Sequence, residues 1–341
     1  MLKNNKIITG VLGFLLLGVF PWWLESTRGA YVVRLLGIAG LYMLLALGLN
    51  VVIGFVGLLD LGFMAFYAIG AYTAALLAIQ GVPFLLCVLA AVVVTVLFRL
   101  AIGFPALRLR GDYLAIVTLG FGEVVRLILT NWDALTNGPK GLPRVGQSIP
   151  PISLFGFVFS SNLHYYYLIA VCVIAAVWIC HRLNHSRVGR AWVAIREDET
   201  AAELMGVEVT KQKVVAFGVS AVFAAVAGAI FVHWESFVTP ESFTFWESAL
   251  LVCAVVLGGM GSVVGVILGA ACIVAIPEIL RDVLGTSFAN ARYLMFGISL
   301  VLMAIYRPQG LWPSKRRALE LHPQDPDETA NPGLFDIKGN E

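Results

Sequence analysis

Leu35-Leu36-Gly37-Ile38-Ala39-Gly40-Leu41-Tyr42-Met43-Leu44-Leu45-Ala46-Leu47-Gly48-Leu49-Asn50-Val51-Val52-Ile53 runs for 19 residues without a charged side chain. As an α-helix rising about 1.5 Å per residue it matches the ~30 Å hydrocarbon core of a bilayer. Apolar runs recur from Ile7 to Ile305, and the expected spans are 7–24, 32–53, 58–79, 82–104, 112–130, 163–181, 213–234, 247–260, 262–280 and 292–306. Of the 341 residues, 59% are hydrophobic and 13% charged, against about 25% charged in soluble domains. Mean hydropathy is +0.87. This composition excludes a water-soluble fold and leaves no stretch for a soluble catalytic domain before the tail. The expected fold class is all-α, a polytopic integral membrane protein of about ten transmembrane helices. Residues 1–313 form the membrane domain, and 314–341 form a polar, proline-bearing tail expected to be disordered.

The basic residues gather in short loops. Lys3 and Lys6, then Arg99, Arg108 and Arg110, then six between Arg182 and Lys213, then Arg307, Lys315, Arg316 and Arg317 all fall on one side of this span count. The other side is poor in them, which marks the first side as cytoplasmic by the positive-inside rule and places both termini there. The first apolar run is expected to be a retained span rather than a signal peptide, because no clear small-x-small site follows and Trp22 and Trp23 suit an interface. No basic face with interleaved aromatics is present, so nucleic acid is not an expected partner. Cys87, Cys172, Cys180, Cys253 and Cys272 all lie in apolar segments without metal-site spacing, so no metal is expected.

Glycines punctuate two of the runs. Val52-Ile53-Gly54-Phe55-Val56-Gly57 is echoed 204 residues later by Val256-Leu257-Gly258-Gly259-Met260-Gly261, so the chain is either two related halves or a chance echo in a glycine-rich sequence. The stretch 249–280 is long for one helix and short for two. Either a tight turn at Gly258 to Gly261 lies in the membrane or one segment is re-entrant. Gly54, Gly57, Gly62, Gly258, Gly259 and Gly261 are expected to break helices or to pack them. Gly261, Gly265 and Gly269 at four-residue spacing, and likewise Ser220, Ala224 and Gly228, make small faces for close helix contact.

Four polar residues in the spans are candidates for a translocation path or gate. Asp60, between two apolar helices, either caps the following helix or serves a gate. Glu123 and Arg126 share a helix face three residues apart, as a structural ion pair or as the lining of a path. Asn50 needs hydrogen-bond partners in either role.

The loop 182–212 is too long for a simple turn. From Arg190 to Gly206 it is filled with helix formers. Ile195, Ala202 and Met205, with Ala194, Ala201 and Leu204, give an apolar stripe at helical period, and Gly206 is placed to end the helix. Trp192 suits an anchor at the bilayer surface. Such an amphipathic helix either lies against the membrane or the protein's own spans or meets a protein partner; six basic and five acidic residues across 182–213 argue against a purely lipid-binding surface and fit a protein partner better.

The segments Gly54-Phe55-Val56-Gly57-Leu58-Leu59-Asp60-Leu61-Gly62, Leu107-Arg108-Leu109-Arg110-Gly111-Asp112-Tyr113 onward to Leu119, Thr136-Asn137-Gly138-Pro139-Lys140-Gly141-Leu142, Ala194-Ile195-Arg196-Glu197-Asp198-Glu199, Gly258-Gly259-Met260-Gly261-Ser262 and Tyr306-Arg307-Pro308-Gln309-Gly310-Leu311 resemble the permease subunits of bacterial branched-chain amino acid ABC importers. The resemblance runs from about Leu41 to Pro313. It implies a second homologous permease subunit, two cytoplasmic ATP-binding subunits that use ATP and Mg, and a periplasmic binding protein that delivers leucine, isoleucine or valine. The setting it implies is the bacterial inner membrane, with lipid around the chain and no cofactor bound by it. It further implies that the cytoplasmic helix docks into the ATPase. Ile195, Arg196, Glu199, Ala201, Ala202, Glu203, Leu204, Met205 and Gly206 are the docking residues expected here. Thr200 interrupts the family's Glu-Ala-Ala triplet. No Gly-x-x-x-x-Gly-Lys-Ser/Thr phosphate loop is present, so any ATP hydrolysis belongs to partners. Permeases for urea or short-chain amides look similar and remain an alternative. A stand-alone secondary transporter or channel would share the composition but needs no docking helix. A membrane enzyme is disfavoured by the scattering of His164, His181, His185, His233 and His322.

Overall fold

The computed structural model describes residues 30–106, 112–154 and 156–284, with 297–298, 301, 305–306 and 310–312 beyond them. The expected span 7–24, the tail 314–341 and most of the span 292–306 lie outside the described residues. The helices are α1 (Ala30–Asn50), α2 (Phe63–Ile79), α3 (Phe84–Ala106), α4 (Asp112–Asn131), α5 (Asp133–Thr136) and α6 (Asn162–Asn184). They continue with α7 (Arg187–Glu197), α8 (Glu199–Leu204), α9 (Val209–Glu235), α10 (Phe245–Gly258) and α11 (Val263–Leu284). A π-helical turn, Val51–Val56, prolongs α1. A small antiparallel hairpin of β1 (Ser153–Leu154) and β2 (Phe157–Val158) sits in the loop before α6.

Among the described residues, six helical segments are long and apolar enough to cross a membrane: Ala30–Val56, Phe84–Phe104, Tyr113–Asn131, Asn162–Asn184, Val209–Glu235 and Pro240–Gly258. Phe63–Ile79 and Val263–Glu278 are shorter apolar helices. The chain is an all-α polytopic membrane protein.

The segments divide into two layers by what covers them. Ala30–Val56 is 72% buried along its most apolar stretch and Val209–Glu235 61%, whereas the figure is 22% for Phe84–Phe104 and 28% for both Tyr113–Asn131 and Asn162–Asn184. Helices apolar all round need apolar surroundings on every side. α1 and α9 find them in protein, while α3, α4 and α6 leave Leu85, Leu89, Ile116, Val171 and Ile174 exposed for lipid or a partner. The centre is held by small residues. α9 packs on α2, α3 and α1, and a Cβ on Gly228 would stand 2.6 Å from the backbone nitrogen of Ala71, so the two helices touch through their backbones.

Two expectations change, and the open choice at 249–280 falls to the tight turn. The span expected at 58–79 begins its helix at Phe63, because Gly57 takes a left-handed φ of 82° and ends the preceding turn. The stretch 249–280 divides into α10 and α11, which meet at a tight turn where Gly259 and Gly261 have φ of 116° and 81°. The single helix expected in the 182–212 loop is two helices. Asp198, in extended conformation, ends α7 and caps α8 by accepting the N–H groups of Thr200 and Ala201 at 2.8 and 2.9 Å.

Candidate functional site

The two glycine turns matched in sequence meet in space. The side-chain oxygen of Asn50, at the end of α1, accepts the N–H of Gly261 at 2.9 Å. Asn50 is fully buried, and its Nδ2 has no hydrogen-bond partner among the described residues. A Cβ on Gly54 would fall 2.5 Å from the Gly261 nitrogen, so the two turns are in backbone contact. The segment 310–312 joins them. The N–H groups of Leu311 and Trp312 donate to the carbonyls of Leu257 and Gly258 at 2.8 and 3.0 Å, satisfying groups that the end of α10 would otherwise leave open.

Arg196 of α7 fastens this joint to the 182–212 loop. Its Nη1 donates to the Gly54 carbonyl at 2.6 Å. Its stem lies over Gly57, where a Cβ would stand 2.7 Å from Arg196 Cγ. Trp192, one turn earlier, is wholly buried, stacks on Phe55 at 6.4 Å between centroids and donates its indole N–H to the Gln212 carbonyl at 2.9 Å. It is a clamp between α7, the π turn and α9 rather than an anchor at a bilayer surface. Buried Lys213 of α9 pairs with Glu199 of α8 at 2.8 Å.

α7 and α8 are therefore two-sided. Ile195 and Ala202 are buried against the rest of the chain, and Arg196 and Glu199 reach inward to partners. Ala201, Glu203 and Gly206 are exposed, as are Leu204 and Met205, at 83% and 86%. The apolar stripe expected on one helix face is thus divided between an inner and an outer surface.

Asp60 lies in the non-helical stretch 57–62 and is ion-paired to Arg99 of α3, both out of contact with solvent. Its other oxygen accepts the Gly62 N–H at 3.1 Å. The Arg99 guanidinium is sandwiched over the rings of Phe66 and Phe217, at 4.1 and 4.3 Å, a placement that offsets part of its desolvation. The sequence reading missed this partner and took Arg99 as a loop-side charge. The signal was an arginine inside the span 82–104, where an unpaired charge is costly. Glu123 and Arg126 pair with each other at 2.8 Å on a partly exposed face of α4, apart from the joint. Gly265 and Gly269 of α11 stack against Gly258 and Ala254 of α10. Among the described residues no group of three or more His, Cys, Asp or Glu is placed to hold a metal ion, and the five cysteines are free.

The sequence matches the family described as branched-chain amino acid transport system / permease component over residues 31–304. The high-affinity branched-chain amino acid transport system permease proteins LivM of Salmonella typhimurium and Escherichia coli are each 43% identical over 331 residues, 90% of this chain and 75% of the relative. The fructose import permease protein FrcC of Rhizobium meliloti is 26% identical over 193 residues, 55% of this chain and 52% of that protein. No solved structure matches the chain. With most of its helices inside that match, this chain belongs to the family of branched-chain amino acid transport system permease components.

Proposed function

We propose that this chain is the membrane-spanning permease subunit of an ABC importer that passes leucine, isoleucine or valine into the cytoplasm. Membership of the permease family makes it a transport subunit rather than an enzyme. In this reading a second, homologous permease completes the pore, two separate ATP-binding subunits hydrolyse ATP with Mg, and a periplasmic binding protein delivers the substrate. The chain lies in the bacterial inner membrane with about ten spans and both termini cytoplasmic. The distribution of basic residues supports that orientation. The contact between the two echoed glycine turns supports two related halves.

The observation that carries the reading is the two-sided build of α7 and α8. An inner face bolted to both glycine turns and an outer face bearing Leu204 and Met205 make a seat for an ATPase and a rigid link from it to the helix breaks. A channel or stand-alone carrier has no use for such a seat. Asn50 and Asp60 belong to the joint that opens and closes the path, whereas Glu123 and Arg126 serve α4 itself. The test is the purified complex in vesicles, with binding protein loaded in turn with each ligand. Leucine, isoleucine or valine is expected to stimulate both ATPase activity and uptake. Stimulation by urea alone would overturn the substrate class, and uptake by this chain without an ATPase would overturn the importer.

A further inference from the structure

α6 is bare along one side. Val171, Ile174 and Trp178 are exposed at 64%, 56% and 61%, while Tyr165, Ile169, Ala176 and Cys180 on the other side are buried. Those three exposed residues and Arg182 follow one another at three- and four-residue steps, so they form one stripe along the helix. In a chain that spans a membrane, an uncovered apolar stripe faces lipid. The helix has 23 residues, about 34 Å at its usual rise, and slightly exceeds the ~30 Å hydrocarbon core. Its last turn therefore stands among the headgroups, where tryptophan and arginine are the usual anchors. The Arg182 guanidinium lies over the Trp178 ring at 5.5 Å, so the apolar stripe ends in a cation held at that level.

More positive charge gathers at the corner that follows. Only His185 and Ser186 separate α6 from α7. The corner is tight: a Cβ on Gly189 would stand 2.2 Å from the Leu183 carbonyl oxygen, and the Ser186 hydroxyl caps α7 by accepting the Gly189 N–H at 3.2 Å. Arg187 opens α7 and Arg190 follows one turn on, both exposed, and the partial positive charge of the helix start adds to theirs. No Asp or Glu occurs from residue 134 to residue 196, and the acidic residues of the 182–212 loop all come after Arg196. None of Arg182, Arg187 and Arg190 is ion-paired among the described residues. Their counter-charge must come from outside the chain. We propose that the corner between α6 and α7 binds an anionic phospholipid, its phosphate held by the three arginines and its acyl chains lying along Val171, Ile174 and Trp178. The continuity of cations with an apolar stripe matches an amphiphile. A soluble anion would leave the stripe unused, and an acidic protein surface would not reach the part of α6 inside the bilayer. The site needs only a membrane around the chain and is independent of what the chain transports.

The experiment uses the purified complex, partner subunits included, in phosphatidylcholine vesicles. They carry a trace of phosphatidylglycerol with a diazirine near its headgroup, or phosphatidylcholine bearing the same group. Irradiation is expected to label the peptide spanning residues 178–190 more strongly with the glycerol probe, by roughly fivefold for each arginine and so up to about 100-fold. Unlabelled phosphatidylglycerol should compete, and inorganic phosphate should not. The triple variant Arg182→Gln, Arg187→Gln, Arg190→Gln is expected to bring the two probes near parity. Lys211→Gln, which removes an exposed cation of the same loop paired with Glu208, is expected to keep the full preference. Equal labelling by the two probes in the wild-type complex would overturn the site, a readout that stands even if the triple variant fails to fold. So would an undiminished preference in the triple variant, or an equal loss in Lys211→Gln. Displacement of the probe by inorganic phosphate would make the corner a soluble-anion site, and labelling only after the partner subunits are stripped away would give it to a protein; either result overturns the lipid.

Discussion

Asp60 and Arg99 are each other's answer to the same difficulty, an ionised group where solvent does not reach. Removing one partner of such a pair leaves the other charged and buried, at a cost of about 3–5 kcal/mol, whereas replacing both by apolar groups is often neutral. Asp60→Asn keeps an acceptor for the Gly62 N–H but abandons Arg99. It should therefore lower the thermal stability of the purified subunit nearly as much as Asp60→Leu, while Asp60→Leu combined with Arg99→Met recovers most of the loss. A purely capping Asp60 would tolerate asparagine, and a double variant as unstable as the single ones would refute the pair as the source of the effect. A lone carboxylate among glycines and leucines was legible in the sequence as a group needing a partner. Its partner was not, because 39 residues separate the two and tertiary packing alone brings them together. Asn50 posed the same limit: the need for hydrogen bonds could be read, and Gly261 as their source could not.

At the scale of elements, α7 and α8 show where periodicity misleads. The stripe drawn through Ile195, Ala202, Leu204 and Met205 assumed one continuous helix axis, but Asp198 offers its carboxylate to the next N–H groups and restarts the helix in a new direction. That break turns Ile195 and Ala202 inward and leaves Leu204 and Met205 outside. Leu204→Asp with Met205→Asp should consequently leave folding and pairing with the second permease unaffected, since exposed substitutions change stability by about 0.5 kcal/mol or less. It should weaken ATPase binding by roughly 100-fold or more if each side chain buries ~1.5–3 kcal/mol of apolar surface in the docked state. Co-purification of the ATPases measures it, and wild-type stoichiometry with coupled uptake intact would remove the docking assignment. The apolar runs within the described residues, by contrast, were legible to within a few residues because hydrocarbon thickness fixes their length. The shift of one helix start from 58 to Phe63 came from Gly57, whose left-handed backbone no hydropathy pattern records.

At the scale of the molecule, the existence of the helices could be read from the chain, but their neighbours could not, since each apolar run is equally content against lipid or protein. The backbone contact of α9 with α2 decides which helices are central. Gly228→Leu should therefore force them apart and prevent recovery of folded subunit, while Leu89→Ala on the exposed face of α3 is expected to leave yield within twofold of wild type, an effect of about 0.5 kcal/mol or less. Size-exclusion profiles of the detergent-solubilised variants check both, and a normally folded Gly228→Leu protein would show the contact to be dispensable. The joint under these helices also imposes an order in time. Asn50 is bonded to a residue 211 positions later, and at about 5–20 residues per second that residue leaves the ribosome roughly 10–40 s after it. During that interval α7 can be made, yet the turn that Gly261 completes does not exist. A nascent or truncated chain that stops short of α10 can thus present the proposed ATPase seat with nothing for it to move, and mechanical competence arrives only with the last third of the sequence.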